Sequence, residues 1–426
     1  MNPGVLIRYI YSACVVIETP DIKILCDPWF TDGVYDGSWF HFPVVDDPIS
    51  KIGDCDYIYV SHLHPDHYDP IFLRRYMQVF GPKEILLAAR KFPYLEKIAL
   101  SSGFNCRVVS APLRIGQTTV SLIAHKPEDM NEIDSVIHVE FSTRTRRHSV
   151  LNSNDVIFTD IFLKEIKEMF GEIDVLLLGY TGAGPYPQTY FDTNDPDILI
   201  EAEKKKMEFF NRYVENCRVL NAAVNIPFAG KYLLGGGLAR LNGFRGVADA
   251  TEILQLDERA IVLADDDGEI STFDLRPSNI RTDPYSPAAV NQRLNEIKDA
   301  KFSFELIDSR MVDLIPLETL LRRAYERALV KSSVDIDYFI VIRLPNMTRC
   351  CFNVNREITN GFSLLKDHED APLPNSEIVI DPRYLYGLLT HMFHWNNAVV
   401  GSHLSVRRNP NFFNRDVQNF LNFLTV

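Results

Sequence analysis

The sequence predicts a layered α/β fold, with two sheet halves that carry helices on their outer faces, followed by an α+β region. Short apolar runs rich in β-branched residues alternate with helical patterns from residue 5 to about residue 230. After Gly235-Gly236-Gly237 this alternation stops and turn-rich sequence follows. Apolar residues make up 46% of the 426 residues, which is enough for a sizeable core.

The first half of the chain supplies most of the predicted strands and helices. Strands are expected at residues 5–19, 21–30, 56–61, 84–89, 106–110, 118–125, 135–142, 149–151, 173–179 and 219–226. Helices are expected at residues 70–77, 92–101, 160–170 and 197–217. We expect Asp160 to cap the third helix, whose apolar face comprises Phe162, Ile166, Met169 and Phe170.

The second half reads as an α+β extension. Helices are expected at residues 287–300, 316–330 and 384–393, with a last one from about Arg415, and strands at 338–344, 350–354 and 378–380. Residues 240–285 are turn-rich and predict no clear element. We therefore divide the chain into a metal-binding domain, residues 1–240, and a substrate-covering domain, residues 241–426.

Composition narrows the range of partners and the cellular location. The net charge of −13 repels phosphate backbones, so we expect no nucleic-acid partner. Two arginine groups, Arg144-Thr-Arg146-Arg147 and Arg407-Arg408, could still bind an anionic small molecule, or be solvated turns. No apolar run is long enough for a membrane span, and the N-terminus lacks the pattern of a signal peptide. Seven scattered cysteines suit free thiols, so we expect a cytoplasmic protein.

A histidine run at the end of a predicted strand is the most informative motif. His62-Leu-His64-Pro-Asp66-His67 follows the apolar strand at residues 56–61. Imidazole and carboxylate are ligands of divalent metals. Residues two apart in an extended segment share a face, so His62 and His64 point to one position. Asp66 and His67 follow where the chain turns, so the loop is expected to serve a second, adjacent position.

The region from about residue 5 to residue 230 resembles the metallo-β-lactamase superfamily. That resemblance implies a four-layer αββα fold and two divalent metal ions. It assigns His62, His64 and His125 to the first metal, Asp66 and His67 to the second, and Asp155 as the bridge between them. Asp66 and Asp155 are then the expected catalytic carboxylates.

Alternatives to the later ligands remain open. His125 could be a strand-end surface residue, with Glu128 or Asp129 as the ligand in its place, and Asp155 could be a turn residue. His138 and His148 are expected to be strand and turn residues.

The sequence departs from the family pattern at the last expected histidine. The segment Asn225-Ile-Pro-Phe-Ala-Gly-Lys231 contains none. We therefore expect the second metal to be weakly held, absent, or completed by the remote His391 or His394.

Several stretches also resemble the metal-binding part of cytidine monophosphate N-acetylneuraminate hydroxylase. They include Asp27-Pro-Trp-Phe30, His62–His67, Leu151-Asn-Ser-Asn-Asp155, Pro227-Phe-Ala-Gly230 and His394-Trp-Asn-Asn-Ala398. Those hydroxylases carry a Rieske module, which needs Cys-x-His and Cys-x-x-His pairs, and this chain has neither. If the chain oxidises a substrate, we therefore expect the electrons to come from an external donor protein or from the substrate itself. Residues 378–426 also weakly resemble the sterol-carrier-protein fold, with Trp395-Asn396-Asn397 as candidate lining of a cavity or as core.

Three functions are compatible with these motifs. We favour a non-haem oxygenase with one or two irons that hydroxylates or oxidises a polar, sugar- or nucleotide-like small molecule, because open His and carboxylate sites suit iron. The alternative is a zinc hydrolase that uses metal-bound hydroxide. The third is a non-catalytic accessory protein, which only the incomplete second site supports.

Overall fold

Two large sheets face each other in the computed structural model of this protein. The structure describes residues 4–130, 132–345, 347–358, 360–366 and 368–426. The strands of the first half are β1 (Leu6–Tyr11), β2 (Cys14–Glu18), β3 (Lys23–Cys26), β4 (Trp39–Phe40), β5 (Tyr57–Tyr59), β6 (Glu84–Ala88), β7 (Asn105–Val109), β8 (Leu113–Ile115), β9 (Thr118–Ala124), β10 (Ser135–Ser142), β11 (Arg147–Asn152), β12 (Val175–Gly179), β13 (Val224–Phe228) and β14 (Leu233–Leu234). The later strands are β15 (Gly268–Ser271), β16 (Pro277–Ser278), β17 (Phe339–Arg343), β18 (Arg349–Asn353), β19 (Phe362–Leu365), β20 (Asn375–Val379) and β21 (Ser405–Asn409).

The helices lie between these strands and at the end of the chain. They are α1 (Val34–Gly37), α2 (Pro48–Ile52), α3 (Pro70–Phe80), α4 (Tyr94–Ser101), α5 (Asp160–Phe170), α6 (Asp197–Leu220), α7 (Pro287–Ile297), α8 (Ser309–Val312), α9 (Leu317–Lys331), α10 (Pro382–Leu389), α11 (Trp395–Val400) and α12 (Arg415–Asn422). Three 3₁₀ helices span Gly236–Phe244, Ala250–Gln255 and Ser303–Leu306. Among the described residues, no helix is both long and apolar enough to cross a membrane.

The predicted four-layer arrangement is confirmed. The first sheet has the strand order β16-β15-β1-β2-β3-β5-β6-β7, and the second has β13-β12-β11-β10-β9-β8. Apolar side chains of both sheets form one buried core between them, as Val15 and Val139 illustrate. A second core lies under α3 and α4, and a third under α5 and α6. Each layer is stable because burying an apolar side chain contributes about 1.5–3 kcal/mol.

The C-terminal extension has its own sheet and its own core. Its strand order is β19-β18-β17-β20-β21, and α9, α10 and α12 pack against it through Leu321, Leu385 and Phe420. The division at residue 240 stays a prediction, but β15 and β16 join the first sheet, so that sheet continues to residue 278. The sterol-carrier-like resemblance also stays a prediction. Trp395 is fully buried and donates to the Leu424 carbonyl, so it is a core residue.

Several local predictions were wrong. Thr159, and not Asp160, caps α5 by accepting from the Phe162 N–H, and Met169 is 55% exposed because it lies on the outer face. The predicted strand at residues 219–226 begins later, since α6 continues to Leu220. These differences arise because tertiary packing decides helix ends and faces where the local pattern allows more than one register.

Asp69 joins the loop after β3 to the first turn of α3. Its buried carboxylate accepts from the N–H groups of Ile71 (3.1 Å) and Phe72 (2.9 Å), which caps the helix. It also accepts from the N–H groups of Phe30 (3.1 Å) and Thr31 (2.8 Å). Asp69 therefore fixes the point at which the histidine run ends and α3 begins.

We expect Asp69→Ala to lower the free energy of unfolding by about 3 kcal/mol, because it removes a cap and leaves buried N–H groups unpaired. Urea unfolding measures this loss. Asp47→Ala is the control, since Asp47 caps the short helix α2 through one longer contact, to the Ser50 N–H at 3.4 Å. Equal losses in the two variants would contradict the role given to Asp69.

Candidate metal centre

Four strand ends meet at one edge of the two sheets. β3 leads into Asp27, β5 into the histidine run, β9 into His125 and β11 into the loop that holds Asp155. β3 and β5 are parallel neighbours, and β9 and β11 both pair antiparallel to β10, so each pair ends on the same side. Polar groups at such strand ends converge because the apolar strand interiors fill the core.

His62, His67 and Asp155 form the centre of the cluster. One ligand atom from each lies within 4.8 Å of the others. His67 Nε2 is 3.3 Å from Asp155 Oδ2 and 3.6 Å from Asp66 Oδ2. His62 Nε2 is 2.9 Å from His64 Nδ1. The histidine run therefore directs its ring nitrogens and one carboxylate toward a common space.

Asp27 holds His67 in place from behind. Its carboxylate is fully buried, and Oδ2 lies 2.9 Å from His67 Nδ1. The same carboxylate accepts from the Ser61 N–H and the Ser61 hydroxyl, each at 2.7 Å. With Nδ1 facing Asp27, His67 presents Nε2 to Asp155. A carboxylate behind an imidazole is the usual way in which a protein orients a metal-binding histidine.

A second buried network orients His62 and His125. His62 Nδ1 is 3.4 Å from Asp134 Oδ1. The backbone N–H of His125 donates to the backbone carbonyl of Asp134 at 2.9 Å. His125 Nδ1 is 3.2 Å from Glu132 Oε2. His125 Nε2 is buried and has no hydrogen-bond partner among the described residues. In both histidines the ring Nδ1 therefore contacts a carboxylate, and the ring Nε2 points away from that carboxylate.

Burial and charge set the protonation of this cluster. Burial, followed by the nearby His67 and His64, lowers the pKa of His62 well below its ordinary value. Burial also lowers the pKa of His64. Burial opposes a charge on His67, but Asp155, Asp66 and Asp27 outweigh it and raise its pKa well above the usual range. Burial, together with Asp155, raises the pKa of Asp134 to about 7.

These features fit a bound metal ion. Neutral imidazoles bind metals, and burial keeps His62 and His64 neutral. His125 Nε2 is a buried polar atom with no partner in the described part of the chain, which costs about 1–3 kcal/mol unless a ligand satisfies it. The carboxylates Asp66 and Asp155 supply the negative charge that a divalent cation balances. The donor set is made of nitrogen and oxygen, which suits both iron and zinc.

The C-terminal extension contacts this cluster directly. Asn396 Nδ2 lies 3.0 Å from His64 Nε2. Arg415 pairs with Glu132 at 3.3 Å and with Asp129 at 3.2 Å. The Glu132 carboxylate that pairs with Arg415 also contacts His125 Nδ1. The extension therefore forms one wall of the candidate metal centre.

The predicted ligands remain predictions, but their placement is clear. The structure brings His62, His67 and Asp155 together, with His64 and Asp66 beside them, and links His125 to them through Asp134.

The rival residues lie elsewhere. Glu128 is 77% exposed and pairs with Lys91, and His138 stacks on Phe170 inside the fold. His394 caps α11 and His391 is exposed. Lys231, from the segment without a histidine, pairs with Asp265.

Sequence reasoning missed the residues that orient the ligands. Asp27 and Asp134 were not assigned a role, although each is an acidic residue beside a buried strand, at the end of β3 and the start of β10. An acidic residue next to a buried strand was the sequence signal that could have identified both. Tyr35, whose hydroxyl donates to Asp66 Oδ1 at 2.6 Å, gave no such signal because it lies in the short, left-handed turn α1.

Comparison with known proteins places the chain among relatives of this fold. A family model described as a beta-lactamase superfamily domain matches residues 6–227. A putative Rieske 2Fe-2S iron-sulfur protein of Mycolicibacterium smegmatis is 37% identical over 232 residues, which cover 50% of this chain and 41% of the relative. Cytidine monophosphate-N-acetylneuraminic acid hydroxylase of Danio rerio is 23% identical over 242 residues, covering 54% and 38%. The matched part is less than half the length of either relative.

Among solved structures, a metallo hydrolase from the archaeon Ignicoccus hospitalis is similar at 16% sequence identity. The match covers 63% of this chain and 97% of that chain, with a TM-score of 0.41.

We expect His64→Ala and His67→Ala each to lower the metal content of the purified protein by at least half, because each removes an imidazole from the cluster. Elemental analysis of the folded variants measures this. His368→Ala is the control, since His368 is exposed and outside the cluster. Undiminished metal in both test variants would rule out the site.

We expect Asp27→Asn to weaken metal binding by about 10–100-fold while the protein stays folded, because the carboxylate orients His67 without touching the metal position. Competition with a chromophoric chelator gives the affinity. Asp32→Asn is the matched control, because Asp32 makes a similar contact to His41 Nδ1 at 2.7 Å outside the cluster. Equal affinities in wild type and Asp27→Asn would show that this carboxylate does not support the metal.

Proposed function

This chain belongs to the beta-lactamase superfamily and is a metal-dependent enzyme of the metallo-β-lactamase fold; we propose that it is a non-haem iron oxygenase that oxidises a polar small molecule. The observation that carries the proposal is the mixed cluster of imidazoles and carboxylates around His62, His67 and Asp155. Oxygen and nitrogen donors with an open position suit ferrous iron and dioxygen.

The names of two relatives support oxidation over hydrolysis. One is a hydroxylase and the other is named as a Rieske iron–sulfur protein, and both align with about half of this chain. The segments that carry the hydroxylase resemblance include Asp27, the histidine run and Asp155. In the structure these three segments converge on one cluster.

Each residue of the cluster has a distinct task in this proposal. Bound iron would supply the redox chemistry with dioxygen. His62, His64 and His67 would hold the metal, and Asp27 keeps His67 Nε2 directed at it. Asp66 is held by the Tyr35 hydroxyl, so its second oxygen remains available on the side of His67.

Access to the cluster is limited on one side. The side chain of Asp155 is 36% exposed, whereas those of His62 and His67 are 0% and 2% exposed. Asp155 is therefore the most exposed of these three side chains. On the side of His64, the half-buried imidazole contacts Asn396 Nδ2 of α11.

Reducing equivalents are proposed to come from an external donor. None of the seven cysteines lies in a Cys-x-His or Cys-x-x-His pair, and all seven are free thiols. Six of them are buried, which makes them unsuitable as redox contacts at the surface.

We expect the protein to retain iron when it is purified without added metal, and to consume dioxygen only when reductant and a substrate are both present. Elemental analysis and an oxygen electrode measure the two quantities. The substrate panel consists of anionic nucleotides and sugar acids. His67→Ala is the inactive control, and His368→Ala should behave as wild type.

Two results would contradict the oxygenase. One is full turnover of a substrate in the absence of dioxygen, and the other is turnover by the zinc-loaded protein alone. Either result would assign the chain to the zinc hydrolases, in which metal-bound hydroxide attacks the substrate.

A further inference from the structure

A cavity of 410 Å³ lies beside the metal cluster, between the loop after β12, helix α11 and the segment after β21. Its walls include Tyr186, Tyr190, Phe412 and Phe413. Phe412 and Phe413 are 46% and 65% exposed, although adjacent phenyl groups are normally buried. Neighbouring exposed aromatic side chains on a concave surface are typical of a ligand site.

Arg408 gives this cavity its charge. Its guanidinium carbon lies 4.1 Å from the centre of the Tyr190 ring and 5.6 Å from that of Tyr186. Its Nε donates to Asn411 Oδ1 at 3.1 Å. Among the described residues no carboxylate lies within salt-bridge distance of Arg408, whereas the preceding Arg407 contacts Asp192 at 3.9 Å. The two terminal nitrogens of Arg408 are therefore available to an anion, held flat by the rings.

Two of the aromatic walls of the cavity are fixed in place. The Tyr186 hydroxyl donates to Glu201 at 2.6 Å, and Tyr190 packs against the core of the C-terminal extension. Preorganised aromatic walls bind a flat ring at a lower entropic cost than mobile ones. Tyr186 and Tyr190 therefore provide fixed aromatic surfaces beside the Arg408 guanidinium.

Asn396 connects the cavity to the metal cluster. It lines the cavity, and its Nδ2 is 3.0 Å from His64 Nε2. A molecule in the cavity thus lies one side chain away from a candidate metal ligand. The other arginine group does not offer this position, because Arg146 and Arg147 pair with Asp174 and Glu140.

We propose that this cavity is the substrate-recognition site, and that it takes a small molecule with a flat ring and one carboxylate or phosphate group. The ring stacks among the aromatic walls, and Arg408 binds the anion through its terminal nitrogens. Asn396 is a positioning residue that lines the cavity and contacts His64. This inference rests on the proposed function only in that the bound molecule is a substrate; the recognition itself does not depend on oxidation.

Calorimetric titration of the full chain tests the proposal with two anionic probes, adenosine 5′-monophosphate and indole-3-acetate. Their uncharged counterparts, adenosine and indole-3-acetamide, are the ligand controls. We expect saturable binding of at least one anionic probe, at least about ten-fold tighter than its counterpart, because a guanidinium–anion contact adds that much affinity. The phosphate and carboxylate probes distinguish the two kinds of anion.

Arg408→Gln should weaken binding of the anionic probe about ten-fold or more, and Arg407→Gln, its neighbour on β21, should change it less than about two-fold. Phe413→Ser should weaken both the anionic probe and its uncharged counterpart, while Phe273→Ser, at an exposed phenyl elsewhere, should not. Matching melting temperatures establish that the variants are folded.

Absence of saturable binding to the wild type, or equal effects of the two arginine variants, would overturn the proposal. Because binding needs neither dioxygen nor turnover, a protein that fails as an oxygenase but binds the probe through Arg408 would still support this site.

Discussion

The buried carboxylate of Asp27 is the contact on which the arrangement of the metal cluster depends. Asp27 directly follows β3, and its carboxylate accepts hydrogen bonds from the Ser61 N–H and the Ser61 hydroxyl. The same carboxylate contacts His67 Nδ1 and so orients that imidazole. A fully buried carboxylate is costly, and burial raises its pKa even though His67 opposes that rise. The cost is offset only because the end of β5 and the histidine loop surround it with donors. The two strand ends and the ligand loop are therefore held by the same side chain.

The C-terminal extension makes a second set of contacts with this loop region. The left-handed turn α1 contains Tyr35 and Asp36 at φ 53° and 59°, a conformation that costs about 1–2 kcal/mol for each residue. Tyr384 donates to Asp36, and His403 contacts the Tyr35 carbonyl, so the extension holds the turn from one side. Tyr35 donates to Asp66 on the other side. The strained turn thus joins the extension to the carboxylate that faces His67.

The sequence was sufficient to predict features set by neighbouring residues, and the structure was needed for contacts between residues far apart in the chain. Strand and helix periodicity was sufficient for the four layers, and the spacing of His62, His64, Asp66 and His67 was sufficient to locate the cluster. Asp155 was found through resemblance, and the structure brings it to His67. The contacts of Asp27, Asp134 and Asn396 with the histidines were not predicted, because they join residues 40, 72 and 332 positions apart. Met169 was misplaced because a helix face is decided by the sheet beneath it.

Anomalous diffraction from crystals of the protein as purified, recorded above and below the iron and zinc edges, tests the metal centre most directly. We expect a peak within bonding distance of His67 Nε2 and Asp155, with a signal that appears at the iron edge. A second peak beside His62 and His64, stronger than the one at His67, would be consistent with two metal positions of unequal affinity. A cluster without any anomalous peak, or a metal bound away from His67 and Asp155, would contradict the assignment of this site.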